Sequence, residues 1–131
     1  MDEPTDRELA RARRRELSPT EREQVESRVS SLLDLLGKVH TMALLREFAF
    51  ADEPLRFSEL ETRLGVSPNT LSQRLSDLTD AGLLVRESYD EIPPRVEYRP
   101  TERAEALFPA FGHFHHWAAE HELDTTNSEV S

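Results

Sequence analysis

The 131-residue chain contains no cysteine, one tryptophan, four glycines and a single lysine. Without cysteine, neither a disulfide nor a thiol nucleophile is possible. No apolar run approaches the ~18 residues of a membrane span, and the acidic N-terminus lacks the apolar stretch of a signal peptide. At ~150 residues per domain, this length predicts one domain. We therefore expect a single soluble, cytoplasmic domain with no membrane partner.

Positive charge is also scarce. The chain has 26 acidic residues but only 16 basic ones, and its formal net charge is −10. A nucleic-acid-binding domain is usually basic, so the total argues against such a partner. All bases except Lys38 are arginines, however. Excess acid with almost no lysine resembles the proteins of salt-loving archaea, in which carboxylates hydrate the surface. On that interpretation local charge indicates the partner, and the alternative is simply an acidic protein.

The N-terminal third divides into a charged segment and an amphipathic helix. Residues 1–17 contain little apolar material and are expected to form a mobile charged arm or a frayed helix. Ser18 and Glu21 then form a capping-box pattern around Pro19, which predicts a helix start. One apolar stripe follows at helical spacing. It consists of Val25, Val29, Leu32 and Leu36.

Helical patterns give way to strand patterns in the second half. Three further helices are predicted at about residues 39–50, from a capping box at Ser58 to Gly65, and from Ser67 to residue 80. Alternating residues from 83 to 89 and from 96 to 98 predict a hairpin, and Thr101 can cap a last helix. The fold class is therefore mainly α with a small β-hairpin (α+β). We expect one domain over 18–122 and a disordered tail over 123–131.

Two short helices joined by three residues and followed by a hairpin with a proline-rich tip describe a winged helix-turn-helix. The short joint at Gly65 forces the helices to cross steeply, so that the N-terminal half of the second helix projects. Asparagine and glutamine fit adenine, and arginine fits guanine. The projecting half contains five side chains that can hydrogen-bond to base edges or phosphates, namely Asn69, Thr70, Ser72, Gln73 and Arg74.

Local charge supports this interpretation. Residues 62–76 contain no carboxylate but include Arg63 and Arg74. The alternative is a polar helix face that lacks acids by chance. Residues 106–119 are also free of acids, and we interpret that second segment as a buried apolar surface.

Five segments in order and spacing resemble the HxlR-type winged-helix transcription regulators, relatives of the MarR group. The resemblance covers roughly residues 32–118. It implies a homodimeric DNA-binding regulator, often a repressor, whose effector or redox signal varies among members. The segments are Leu44-Leu45-Arg46-Glu47-Phe48, Arg56-Phe57-Ser58-Glu59-Leu60, Ser67-Pro68-Asn69-Thr70-Leu71-Ser72-Gln73-Arg74-Leu75, Asp80-Ala81-Gly82-Leu83-Leu84 and Pro93-Pro94-Arg95-Val96-Glu97-Tyr98.

The resemblance also implies roles for further residues. The helix that begins with Ser67 and Pro68 would enter the major groove. Arg95 at the wing would reach a phosphate or the minor groove. Arg86, on the first strand of the hairpin, is also predicted to bind DNA. Ser58 would begin the helix that braces on the DNA backbone, where a helix N-terminus attracts phosphate.

Three departures from the family pattern matter. His40 takes the usual position of a tryptophan, so no ligand pocket can be inferred there and no effector is identified. The absent cysteine excludes the redox mechanism of some members. Asp90 and Glu91 near the wing tip would repel DNA if they faced it.

Aromatic and aliphatic residues at both ends exceed what a domain this small needs, which indicates a homodimer surface; the alternative is core packing. Dimerisation would set two recognition helices about 34 Å apart, on the half-sites of an imperfect palindrome. The predicted dimer residues are Val25, Val29, Leu32, Leu36, Leu107, Phe108, Phe111, Phe114 and Trp117.

The remaining chemistry is sparse. His113, His115, His116 and His121 lie close in sequence, but we favour polar positions on an interface helix over metal binding. No cofactor is predicted. No glycine-rich phosphate loop or catalytic triad order is present, so we do not expect an enzyme. The rival function is a winged-helix protein-interaction module without DNA binding, for which the negative charge would favour a basic partner.

Overall fold

The computed structural model describes residues 3–124, and the chain divides into two compact units, Met1–Lys38 and Val39–Ser131. The first unit contains α1 (Asp6–Glu16) and α2 (Pro19–Leu36). The second contains, in order, α3 (Thr41–Ala49), β1 (Leu55–Arg56), α4 (Phe57–Leu64), α5 (Pro68–Asp80), β2 (Leu84–Tyr89), β3 (Arg95–Pro100) and α6 (Glu102–Glu120). The expected fold, mainly helical with a small antiparallel sheet, is confirmed.

The first unit is a pair of capped helices. The Thr5 and Ser18 hydroxyls each accept a hydrogen bond from the backbone N–H three residues later, which completes two capping boxes. Residues 6–16 are therefore helical, the second of the two expected alternatives for the arm; its mobility stays a prediction. The division between units falls after Lys38, whereas the predicted boundary lay at residue 17. The prediction placed α2 in the main domain, whereas the structure groups α2 with α1 in the first unit.

The core of the second unit is built from leucines of three helices and the sheet. Leu71, Leu75 and Leu78 of α5 are all buried, as their spacing predicts. A fully buried leucine contributes about 1.5–3 kcal/mol relative to an exposed one, so this row fixes the rotation of α5. The other core side chains include Leu44, Leu45, Phe48, Leu60, Leu84, Ala104 and Phe111.

A three-stranded antiparallel sheet, in the order β1-β3-β2, completes this unit. The predicted hairpin is present, with Leu84 opposite Pro100 and Tyr89 opposite Arg95. The short extended piece that was predicted before α4 adds a third strand, because buried Leu55 pairs with Tyr98.

The helix-turn-helix begins two residues earlier than its sequence pattern predicts. The Glu59 carboxylate accepts a hydrogen bond from the Arg56 backbone N–H at 3.0 Å, so the capping interaction lies at Arg56 and not at Ser58. The reason is that β1 leads directly into α4, with no loop between them. Gly65 ends α4 with a φ of 62°, a left-handed conformation that a side chain disfavours.

The last helix, α6, begins at Thr101, whose hydroxyl accepts a hydrogen bond from the Ala104 backbone N–H at 3.3 Å. It continues through Pro109 to Glu120. Residues 125–131 of the predicted disordered tail lie outside the described residues. Within residues 3–124, no helix has both the length and the apolar character to span a bilayer.

Candidate nucleic-acid interface

Helix α5 presents one polar face to solvent because its leucines take the opposite face. Ser67 caps the helix, with its hydroxyl 3.0 Å from the Thr70 hydroxyl, and Pro68 occupies the first turn. This local order holds the first turn of α5 in place. The exposed side chains of the helix are Pro68, Asn69, Ser72, Gln73, Ser76 and, in its last turn, Asp80.

Three predicted base-reading side chains lie together on that face. Asn69, Ser72 and Gln73 are exposed, and among residues 3–124 the side chains of Asn69 and Ser72 have no hydrogen-bond partner. The Gln73 amide donates to Asp77 at 3.0 Å on the next turn, while its carbonyl oxygen points to no donor within the described chain. Thr70 is half-buried beside Ser67. The face therefore offers amide and hydroxyl groups that an incoming ligand can use.

Arg74 occupies a different position from the one that its residue type suggests. Its Nε donates to the Val39 carbonyl oxygen at 3.1 Å, and its other nitrogen lies 2.7 Å from the Asp77 carboxylate. The side chains of Arg74 and Asp77 are only 20% and 13% exposed. Arg74 therefore connects α5 to the segment before α3, an engagement that the sequence analysis did not anticipate.

The positive charge counted over residues 62–76 is largely neutralised in the structure. Arg63 lies 3.8 Å from Glu59, and Arg74 is paired with Asp77. Both carboxylates lie just outside the acid-free segment in sequence, at helical spacings of four and three residues. A spacing search around each arginine could have found these partners. Over residues 68–76 the face is consequently polar and free of acids rather than strongly basic, and the exposed carboxylate of the helix, Asp80, lies in its last turn.

The predicted bracing residue, Ser58, is exposed in the first turn of α4. Its carbonyl oxygen accepts a hydrogen bond from the Thr62 hydroxyl at 3.0 Å. The structure thus places the N-terminus of α4 at the surface.

The two predicted DNA-binding arginines of the wing, Arg86 and Arg95, differ in how many partners they have. Arg95 stacks on the Tyr89 ring, 4.2 Å from its centroid, and lies 3.3 Å from Glu91 and 3.2 Å from Glu97. Arg86 is exposed and donates only to the Ser88 hydroxyl, at 3.1 Å. Within the described chain, Arg86 has no carboxylate at ion-pair distance, so it is the more available of the two bases.

A second network covers the same face of the wing as Arg95. The Arg99 guanidinium and the Tyr89 hydroxyl both donate to the Glu87 carboxylate. The hydrogen bond from Arg99, and then that from Tyr89, lowers the pKa of Glu87. The same bond to Glu87 raises the pKa of Tyr89. Five side chains share one face of the hairpin because they alternate along its two strands, and they pair with one another there. They are Glu87, Tyr89, Arg95, Glu97 and Arg99.

The predicted dimer residues divide into two groups. Val25, Val29, Phe114 and Trp117 are exposed, as an interface requires. Phe111 is only 6% exposed and belongs to the core of the second unit, so its assignment to the dimer surface was wrong. The reason is that α6 packs on α3, where Phe111 lies beside Met42 and Ala43. Leu32, Leu36, Leu107 and Phe108 are half-buried.

Two histidines of α6 contact other side chains of the second unit. The His115 ring packs against Phe50 with centroids 5.3 Å apart, and His116 lies 3.8 Å from Glu120. No three metal-ligating side chains cluster within residues 3–124. His40, at the position of the family tryptophan, begins α3 with a φ of 70°.

Two helices joined at Gly65, with a polar outward face on the second and a hairpin behind it, define a winged helix-turn-helix protein. A profile described as HxlR-like helix-turn-helix matches residues 35–125, so the chain belongs to that family. This confirms the resemblance on which the sequence analysis relied.

Individual relatives agree with that assignment. An HTH-type transcriptional regulator of Halalkalibacterium halodurans is 34% identical over 91 residues, which cover 69% of this chain and 80% of the relative. One from Mycobacterium tuberculosis is 39% identical over 93 residues, or 71% of this chain but only 58% of the relative. A MarR-family regulator of Porphyromonas gingivalis has a similar structure, with a TM-score of 0.65 and 25% identity, over 72% of this chain and 91% of the other.

Proposed function

We propose that this protein is a sequence-specific DNA-binding transcription regulator that acts in the cytoplasm as a homodimer and represses its target. The observation that carries the proposal is the outward face of α5, where Asn69, Ser72 and Gln73 are exposed without a carboxylate among them. The names of the relatives support the class, since those cited are HTH-type transcriptional regulators. The proposal includes no catalytic activity.

Base reading is assigned to the first two turns of α5. The amide of Asn69 or Gln73 can pair with both major-groove groups of adenine, and Ser72 can donate to either kind of base. Pro68 and Thr70 lie beside them in the first turn. Arg74 contributes by holding α5 in place, because its guanidinium is committed to Val39 and Asp77.

Phosphate contacts are assigned to the exposed N-terminus of α4, with Ser58, and to Arg86 of the wing. A helix N-terminus offers unpaired N–H groups and a positive dipole end to phosphate. Arg86 is suited to the same task because it keeps its charge unpaired within the described chain. Arg95 is a weaker candidate, since two carboxylates lie within 3.3 Å of it.

The homodimer is assigned to the exposed apolar residues of α2 and α6. Val25 and Val29 on α2, with Phe114 and Trp117 on α6, would lose water contact in a symmetric pair. A two-fold pair of recognition helices about 34 Å apart fits two half-sites one helical turn apart. The predicted site is therefore an imperfect palindrome.

The rival function, a protein-interaction module, has one observation in its favour. The wing carries Glu87, Glu91 and Glu97 on or near one surface, and carboxylates there would suit a basic protein partner. These groups already pair with Arg95 and Arg99, however. The α5 face lacks the apolar side chains that usually centre a protein interface.

Genome-wide footprinting of the tagged protein in its own host tests the proposal. We expect protected sites that overlap promoters and contain two half-sites about 10 base pairs apart. With purified protein, log affinity for such a site should fall linearly with log salt, by about 0.9 per phosphate neutralised. Absence of binding to any protected region or to random duplex DNA, at every salt concentration, would favour the protein-interaction module.

A further inference from the structure

The first unit has no buried side chain to stabilise it. Every residue from 3 to 38 is exposed or half-buried, although both helices have capping boxes. Chains below about 40 residues bury too little apolar surface to be stable alone and depend on disulfides, metals or association. The sequence contains no cysteine, and no three metal-ligating side chains cluster among residues 3–124. Association is therefore the route that the composition of this unit leaves open. Its large exposed apolar side chains are Leu9, Val25, Val29 and Leu33.

Three of these side chains meet in one groove between α1 and α2. Leu9, Leu17, Val25 and Val29 form most of its apolar lining, and its volume is about 790 Å³. On α1 the lining residues recur every three or four positions, so they form a single stripe that faces the groove. Arg14 closes the groove near the helix turn through its 2.8 Å ion pair with Glu26.

Charge along α1 identifies the occupant. The stripe begins with Asp6 and ends with Arg13 and Arg14, with Leu9 and Ala10 between them. A two-fold axis across such a helix pairs it antiparallel with its copy, so each acidic end lies against the other's basic end. The register that places Asp6 beside the copy's Arg13 also places Leu9 beside its Ala10. The stripe is thus self-complementary in both charge and size, which favours a second copy over an unrelated partner.

We infer that the groove holds α1 of a second copy, so that the two helical hairpins form a four-helix arrangement around an axis near Leu9. This inference deepens the homodimer of the proposed function and rests on it. Residues 1–34 precede the segment that matches the family profile, so this pairing adds a contact surface to the one assigned to α6.

Charge exchange in the full-length chain tests the inference. In Asp6→Arg, positions 6 and 13 of the stripe are both basic. In Arg13→Asp, the same two positions are both acidic. Each variant alone should repel its own copy, and the contact occurs twice per dimer. The dimer dissociation constant from sedimentation equilibrium at low salt should therefore rise about three- to tenfold. An equimolar mixture of the two should recover a value within about twofold of wild type. Arg7→Glu is the control, because Arg7 is exposed on α1 but does not line the groove.

An apolar variant provides a second measurement. Leu9→Glu places two like charges at the axis and should raise the dissociation constant more than tenfold. Its helical circular dichroism above the dissociation constant should match wild type, because Leu9 is already 45% exposed in one chain. If wild type is dimeric and the charge variants and their mixture dissociate like it, the inference is wrong while the homodimer stands. If wild type is monomeric at every concentration, both fail.

Discussion

The outward face of α5 and the wing are both polar surfaces, but their side chains differ in how many partners they already have. On α5, Asn69 and Ser72 have no hydrogen-bond partner among the described residues. On the wing, Arg95 and Arg99 are paired with Glu97 and Glu87. Residue type thus indicates what a side chain can bind, and its neighbours decide whether it is available.

The difference follows from the geometry of strands and helices. Alternate residues of a strand share a face, and Glu87 lies directly opposite Glu97 in the register. The arginines on the same face therefore lie within ion-pair distance of these carboxylates. On α5 the leucines occupy the buried side, and the nearest acid, Asp77, lies half-buried at the edge of the polar face. In a chain with 26 acids, the first turns of α5 are unusual because the exposed carboxylate of that helix, Asp80, lies only in its last turn.

The largest effect on DNA binding is expected from Asn69→Ala. Loss of a bidentate contact to adenine costs about 1–3 kcal/mol, so affinity for the footprinted site should fall roughly five- to 150-fold. Affinity for random duplex DNA should stay near wild type in fluorescence anisotropy. Ser76→Ala is the matched control, since Ser76 is exposed on the same helix but lies nearer its C-terminus. Unchanged affinity of Asn69→Ala for its site would remove α5 from the reading role.

Arg74→Ala should act on stability more than on base choice. It removes the bond to Val39 and takes one charged donor from the Asp77 carboxylate, which costs about 1–3 kcal/mol in the free energy of unfolding by urea. Arg74→Lys should recover part of this loss because it keeps the charge. The ratio of specific to non-specific affinity should change less than in Asn69→Ala. A variant that is as stable as wild type but loses specificity would return Arg74 to the base-reading group.

The two wing arginines should differ in the salt dependence of DNA binding. Arg86→Ala removes an available charge, so the slope of log affinity against log salt should become shallower by about 0.9. Arg95→Ala should change the slope less, because its charge is already balanced by Glu91 and Glu97. Equal changes in both variants would mean that the wing network opens on DNA.

The smallest effect concerns pH. The pKa of Glu87 is lowered in the folded state, chiefly by its bond from Arg99. A lowered carboxyl pKa contributes stability above the unfolded pKa, and this contribution is lost as pH falls through the folded value. Glu87→Gln should therefore be less stable than wild type at neutral pH, and the gap should close on acidification below the usual pKa of 4.5. Thermal unfolding across pH 3–7 measures it, and a gap independent of pH would contradict the assignment.

Much of the fold could be predicted because local signals act over few residues. The caps at Ser18, Ser67 and Thr101 and the turn at Gly65 each require only a short pattern, and all are present. The leucine spacing of α5 likewise fixed which face is polar. These features depend on backbone and helix periodicity alone.

The rest depended on contacts that sequence spacing does not determine. The two-residue strand β1 exists only because β3 lies beside it, and the Arg56 cap follows from that pairing. Phe111 shares its helical pattern with exposed Phe114, and the pattern cannot distinguish a chain's own core from a partner's surface. The partner of Arg95 across the wing is equally a matter of register.

The contacts that hold α5 and the side chains that would read DNA lie on different sides of the helix. The helix is held by the buried side chains of Leu71 and Leu75 and by the hydrogen bond from Arg74. The side chains of Asn69 and Ser72 make no hydrogen bond within the described chain. Substitutions at those two positions should therefore be nearly free of structural penalty. Duplicated copies of such a gene could diverge toward new operators without first acquiring compensating mutations, and a library randomised at the same positions could be selected for altered targets in the same way.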